Sequence, residues 1–227
     1  MFFWLQSWQL PINLSKTQLL HLGTSINVHT YLINGITILP AEKVLDLGII
    51  TDSNLSYSSH ISSIISKAHS RTGIICIIFF SHNISLLRQA YITFVDPIIE
   101  YASQIFIPSV LKYISDLENV QRNFTYRIRV MQHVSYSEWL AVLNLEPLEL
   151  RRLKADLVMY YTIINNVISI NFDDHFTIRK SSSISTRSTL LKHFCRTNRI
   201  VNNFFRSINI WNALSVIITN ATSLSLL

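Results

Sequence analysis

Apolar residues fall into two regimes along the chain. Up to about residue 52 they form short runs broken by turn residues, and beyond it they recur three or four apart. "HTYLINGITIL" sets Asn34-Gly35 between two β-rich runs. Asn-Gly readily takes the positive φ values of a type I′ turn, so the stretch predicts a hairpin. Pro40 closes its second strand. "KVLDLGIITD" predicts a third strand, Val44 to Thr51, with Gly48 inside it as a bulge or a close backbone approach.

The later segments read as helices. "SSHISSIISKAHSRTGIICIIFF" places Ile61, Ile64, Ile65 and Ala68 at helical spacing, and "SLLRQAYITFV" puts Leu87, Ala90, Tyr91, Phe94 and Val95 on one face. Asp96-Pro97 ends that helix and supplies the cap and first residue of the next, "PIIEYASQIFIPS". "YISDLENVQRNFTYRIRVM" is strongly amphipathic: Ile114, Leu117, Val120, Phe124, Ile128 and Met131 line one side, and Arg122, Tyr126 and Arg129 the other. In "SYSEWLAVLNL", Ser135 and Glu138 have the spacing of a capping box.

"EPLELRRLKADLVMYYTIINNVI" reads as the longest helix. Pro147 is at its start, and Leu150, Leu153, Leu157, Tyr160 and Ile164 form its core stripe. Arg152 and Asp156 form a weakly stabilising i,i+4 pair. The Ser-rich break Arg179 to Thr189 reads as a linker or an exposed loop. A final helix follows from about Asn198 to Val216, with Ile200, Phe204, Ile208 and Trp211 inward.

The fold expectation is therefore α+β, mostly α. A short N-terminal hairpin and strand region (1–57) precedes a helical region (58–174) and a C-terminal region (175–227) carrying the final helix. The 227 residues are 49% apolar, enough for a sizeable core. The longest unbroken apolar run, Ile74 to Phe80, falls far short of the roughly 20 residues a spanning helix needs. No transmembrane helix is expected. "MFFWL" lacks a basic n-region and a cleavage site. Two cysteines, Cys76 and Cys195, suit a reducing compartment, so an intracellular place, cytoplasmic or nuclear, is expected. Five Asn-x-Ser/Thr sequons, at Asn13, Asn54, Asn83, Asn123 and Asn220, are what an Asn- and Ser-rich chain produces by chance.

Charge changes the picture. The net charge of +6 is uneven: residues 1–60 carry two basic and three acidic groups, and residues 61–174 carry ten of each. Residues 175–227 carry seven basic groups and no acid. An acid-free basic block suits a polyanion such as nucleic acid, or forms an ordinary solvated surface. Lys67 with Arg71, and Arg122 with Tyr126 and Arg129, are further candidates for phosphate contacts, as are Arg196 and Arg199; each also reads as a solvated face with buried alkyl stems.

Catalytic constellations are scarce. There is no Gly-rich phosphate loop. Asp173-Asp174 offers a divalent-ion pair or a solvated turn, and His193-x-Cys195 is half a zinc site without a second pair. Glu146 and Glu149 fall at a helix start, where the dipole favours acids. No serine sits in a nucleophile-elbow context.

Six stretches, in order, carry a resemblance: "WLQSWQLPINLSKTQLLHLG", "KVLDLGIITDSNLSYSSHISSIISKA", "YITFVDPIIEYASQIFIPS", "LENVQRNFTYRI", "SYSEWLAVLNLEPLELRRLKADLVMYYTIINN" and "FFRSINIWNAL". The chain resembles the C-terminal portion of the reverse transcriptase of LINE-type (non-LTR) retrotransposons, in the jockey-like group. The resemblance implies a palm remnant, a helical thumb from about Ser58, and a C-terminal extension that handles RNA or target DNA. It implies that Lys16, in "NLSKT", corresponds to the family's helper lysine near the incoming nucleotide, and that "LGIITD" corresponds to the primer grip.

The family's metal-binding aspartates lie upstream of the Trp-containing segment that opens this chain, and only 15 residues precede Lys16, none acidic. Two-metal chemistry needs those carboxylates. The expectation is a truncated or decayed RNA-directed DNA polymerase fragment, inactive alone. It holds no cofactor (Mg2+ serves the intact family polymerase). Its expected partner is an RNA/DNA template–primer duplex, held by low-specificity backbone contacts, with no small-molecule substrate. A helical protein-interaction or membrane-surface protein is the competing reading. Departures from the family pattern fall at Asp96 and Trp139, where Arg is usual, at Phe106 in place of Trp, and at Ser215 in place of Pro. Loss of two arginines is expected to weaken phosphate contacts.

Overall fold

A computed structural model describes residues 7–9, 12–23, 29–79, 83–106, 111–128, 134–169, 177–179, 189–191 and 207–219. The chain is mixed α+β and mostly helical, with short strands first and helices after. It divides into two compact units, Met1–His60 and Ile61–Leu227.

In the first unit, β1 (Leu19–Leu20) runs parallel to β4 (Pro40–Ala41). β2 (Tyr31–Ile33) and β3 (Ile36–Ile38) form the expected hairpin. Asn34 (φ 52°) and Gly35 (φ 77°) both occupy the left-handed region that a type I′ turn requires. The expected single strand from Val44 to Thr51 is instead a second hairpin, β5 (Lys43–Asp46) against β6 (Ile49–Asp52). Gly48 is not a bulge. With Leu47 (φ 46°) it makes the two-residue turn (Gly48 φ 84°). Leucine is a poor turn residue because its Cβ crowds the carbonyl at positive φ, so the sequence hides this reversal.

Asp52 closes the second hairpin. Its carboxylate accepts hydrogen bonds from Asn54 N (3.0 Å), Ser56 N (2.9 Å) and Ser56 Oγ (2.5 Å). Burial alone would raise this carboxyl, but the Ser56 and Asn54 donors outweigh it and lower it. Among the described residues every sheet is two-stranded, and such pairs are marginal alone in water. Large apolar side chains stand out of them: Leu39, Leu45 and Leu47 are 78%, 65% and 82% exposed.

Helix α1 (Ser58–Ile78) is 21 residues long, against 17 for the helix expected to be longest. Ile61, Ile64, Ala68 and Ile75 are its buried stripe. α2 (Ile84–Phe94) is capped by Asn83, whose Oδ1 accepts from Ser85 N and Leu86 N. Leu87, Ala90, Tyr91 and Val95 turn inward as expected, whereas Phe94 is 55% exposed. α3 (Asp96–Glu100) has Val95 as its N-cap, not Asp96, and gives way to turns after Glu100.

α4 (Leu111–Arg127), α5 (Tyr136–Leu143) and α6 (Leu148–Ile164) complete the helical body. Tyr91 stacks on Phe124 with ring centroids 4.7 Å apart. α5 has the expected capping box: Ser135 Oγ accepts from Glu138 N, and the Glu138 carboxylate accepts from Ser135 N. The inward stripe of α6 differs from the expected one. Leu150 is exposed, and Leu148, Arg152, Asp156, Tyr160 and Ile163 are buried. Arg152 Nη2 donates to Ile99 O (3.4 Å) and Ser207 Oγ donates to Asp156 Oδ2 (2.9 Å). Hydrophobic periodicity cannot register buried residues that are polar but hydrogen-bonded.

β7 (Thr177–Arg179) pairs antiparallel with β8 (Thr189–Leu191), so the two ends of the expected linker meet. α7 (Ile208–Ala213) buries Ile208 and Trp211 beside Tyr160, Tyr161, Ile163 and Leu190. Asn212 bonds both the N–H and the C=O of Leu190 (2.9 Å each), tying α7 to β8. The expected final helix thus ends at Ala213, and α8 (Val216–Thr219) is a separate turn of helix. Among the described residues no helix is long and apolar enough to cross a membrane.

Replacing Leu47 with Gly should stabilise the β5–β6 hairpin by about 1 kcal/mol, by removing the cost of an L side chain at positive φ. Slower hydrogen exchange of the Lys43–Asp52 amides would bear this out; faster exchange would count against the turn assignment.

Candidate nucleic-acid surface and a charged cleft

Lys16 ends a short 3-10 turn, Leu14–Lys16, in the first unit. Asn13 caps this turn through Ser15 N (3.0 Å). Asn13 and Asn83 therefore use their side chains as caps, which explains a serine two residues after each. Lys16 is exposed. Among the described residues no cluster of three or more His, Cys, Asp or Glu could hold a metal.

Lys67 and Arg71 are exposed on one edge of α1, one helical turn apart. Ile74 and Ile78 extend that edge and are exposed too. Arg122 is exposed on α4, but its guanidinium lies 4.9 Å above the Tyr136 ring, at the first residue of α5. Tyr126 is exposed as expected. Arg129, Arg196, Arg199, the pair Asp173-Asp174 and the His193/Cys195 pair lie outside the described residues.

Arg127, absent from the sequence candidates, closes α4 beside the Cys76 side chain. Burial pushes the Cys76 thiol up more strongly than this guanidinium brings it down. Position 96 is buried, and so is Trp139. An arginine in either place would not stand on the present surface, so the expected loss of phosphate contacts there does not follow from this fold.

The densest chemistry lies where α3, α4, α5 and α6 converge. Arg151, in the first turn of α6, donates to both Asp96 oxygens (Nη1–Oδ2 2.7 Å, Nη2–Oδ1 3.2 Å) and to Gln121 Oε1 (2.9 Å). Glu100 Oε1 lies 2.9 Å from the same Nη1. Gln121 Nε2 passes the network to Tyr136 Oη and to Glu146 O (3.2 Å each). Tyr136 donates to Glu118, whose other oxygen accepts from Leu148 N (3.0 Å). Glu146 pairs with Lys154. Burial, reinforced by the bond to Glu118, pushes the Tyr136 hydroxyl far above its ordinary range.

This network sorts the charges of the second unit. Asp96, Glu100, Glu118 and Asp156 spend oxygens on contacts within the unit, whereas Glu138 caps α5 at the surface and Glu149 is exposed. Lys67, Arg71, Lys112 and Arg122 are exposed and have no carboxylate partner among the described residues. Among the described residues of this stretch Lys67, Arg71, Lys112, Arg122, Arg127 and Lys154 are exposed, against the acids Glu138 and Glu149, so its surface is biased towards cations.

The fold and surface define a mixed, mostly helical protein with a cation-bearing helical unit. It is similar to an uncharacterised protein of Caenorhabditis elegans, with 26% identity over 146 residues, covering 63% of this chain and 73% of that protein. No family model matches the chain. No solved structure matches it.

Glu100 gives a pH test. Burial raises its carboxyl first, the Asp96 charge adds to this, and Arg151 opposes it. The folded state then holds this proton more tightly than the unfolded chain. The associated stability is present below the ordinary value of 4.5 and is lost as pH rises through the raised value. Glu100→Gln cannot titrate, so denaturant unfolding should show its stability improving relative to wild type as pH rises from below 4.5 to neutral. A gap that does not change with pH would contradict the assignment.

Proposed function

We propose that the chain is a C-terminal portion of a LINE-type reverse transcriptase and that its role is to hold an RNA/DNA template–primer duplex by its phosphate backbone. The observation that carries this reading is the excess of exposed cations over exposed acids on the helical unit, where Lys67 and Arg71 have no carboxylate partner among the described residues. The order of the six resembling segments supports it, as does the acid-free composition of residues 175–227. Contacts of this kind position a duplex without reading its sequence. Lys16 would be a member of the family's nucleotide site.

A second reading draws on one observation. Ile74, Ile77 and Ile78 are exposed next to Lys67 and Arg71 on α1, a cationic and apolar edge that would also suit an anionic lipid surface.

Filter binding with a short RNA–DNA duplex separates the two. The nucleic-acid reading expects log affinity to fall linearly with log salt concentration. The Lys67→Ala/Arg71→Ala variant should bind more weakly and lose about one to two units of that slope. No duplex binding at low salt, together with co-flotation with phosphatidylserine vesicles, would replace this reading with the membrane-surface one.

A further inference from the structure

Of all the asparagines in the chain, Asn34 alone precedes a glycine. Every other asparagine is followed by a residue whose side chain crowds its own backbone nitrogen. Asn34 and Gly35 are both exposed at the tip of the β2–β3 hairpin. Beyond the two chain neighbours of Gly35, no atom lies within 4 Å of where its Cβ would stand. Asn13 and Asn83 use their side-chain oxygens as caps, whereas the Asn34 carboxamide has no hydrogen bond among the described residues.

A backbone nitrogen with no side chain beside it can attack the carboxamide carbon of a preceding asparagine. The closed turn prevents this. At the first central position of a type I′ turn ψ is about +30°, which points the next nitrogen away from the side chain. Reaction therefore needs the turn to open. The hairpin has three residues a side in a two-stranded sheet, and such a pair is marginal alone in water. Tyr31, Leu32 and Ile36 are exposed, so little of its apolar surface is buried to hold it shut.

We propose that Asn34 is a site of spontaneous deamidation and that its iso-aspartyl product holds the β2–β3 hairpin open. The Gly35 nitrogen bonds to Asn34 Cγ as the Cγ–Nδ2 bond breaks, and ammonia leaves with the Gly35 proton. Water then opens the five-membered imide. Hydrolysis at Cγ leaves an ordinary aspartate, which the turn accepts. Hydrolysis at the main-chain carbonyl carbon routes the chain through Cβ and Cγ instead. That adds one atom to the backbone between β2 and β3, and a two-residue turn no longer sets Ile33 opposite Ile36. Either product places a carboxylate within residues 30–41, which otherwise carry no charge. The site is independent of the proposed duplex contacts, since it uses neither Lys67 nor Arg71.

Peptide mapping of the full chain during incubation in warm, mildly alkaline buffer tests this. Asn34 should be converted ahead of every other asparagine, with its iso-aspartate labelled by an isoaspartyl methyltransferase. Because the hairpin is marginal, the rate should lie no more than about tenfold below that of the free peptide spanning His29–Leu39. Asn34→Gly suits the turn and lacks the carboxamide, so ammonia release and labelling in this segment should both be lost. The cross-strand Ile33–Ile36 contact, read by nuclear Overhauser effects, should disappear from the iso-aspartyl chain and persist in the aspartyl one. A rate further below that of the peptide, faster conversion at another asparagine, or an iso-aspartyl chain that keeps the Ile33–Ile36 contact would each overturn the proposal.

Discussion

The helical unit depends on the bidentate pair between Arg151 and Asp96, which joins residues 55 apart in sequence. A guanidinium and a carboxylate removed from water lose hydration that only well-placed partners restore. Here the partners form a chain through four helices. Arg151 on α6 reaches α3 at Asp96 and α4 at Gln121, and Gln121 reaches Tyr136 on α5. Tyr136 reaches Glu118 on α4, which returns to α6 through Leu148 N. That last bond matters locally. Pro147 stands at the N-cap with no side chain to offer, so Glu118 satisfies a first-turn N–H that would otherwise be orphaned. Buried pairs of this kind add little net stability over apolar packing. What this one supplies is a fixed partner at the start of α3, α5 and α6.

The surface follows from the same network. Asp96 and Asp156 are buried together with Arg152, and Arg151 is largely buried, yet among the described residues more cations than acids stay exposed. This is why a locally neutral stretch becomes a positively biased one, and why overall charge alone would have assigned all of the excess to the last quarter of the chain. In this chain Asp96 is the internal counter-charge of Arg151. The cleft is the same network seen from its other side, where Asp96, Glu100 and Arg151 line an open space.

What could be read from the sequence was local. The Asn34-Gly35 turn, the Ser135–Glu138 capping box and the Ile61/Ile64/Ala68 stripe each depend on residues within one turn or a few helical repeats, and each formed as the spacing indicated. Lys67 and Arg71 share an edge for the same reason. The Leu47-Gly48 turn was hidden because leucine rarely enters the left-handed region. Arg152 and Asp156 could be read only as an i,i+4 pair, because nothing in a periodic pattern shows that Ile99 O and Ser207 would meet them inside. The cleft was illegible in principle. Glu100, Asn144 and Arg151 come from the ends or starts of three helices, and only the fold brings them together.

The most direct measurement is a double-mutant cycle on Asp96→Asn and Arg151→Met, read by denaturant unfolding. If the pair organises the helical unit, each single change should cost several kcal/mol by stranding a buried charge. The double variant should then cost less than the sum, with a coupling of about 1.5–3 kcal/mol. Costs that add to within about 0.5 kcal/mol would show that the two residues act independently, and the helical unit would have to be held by its apolar core alone.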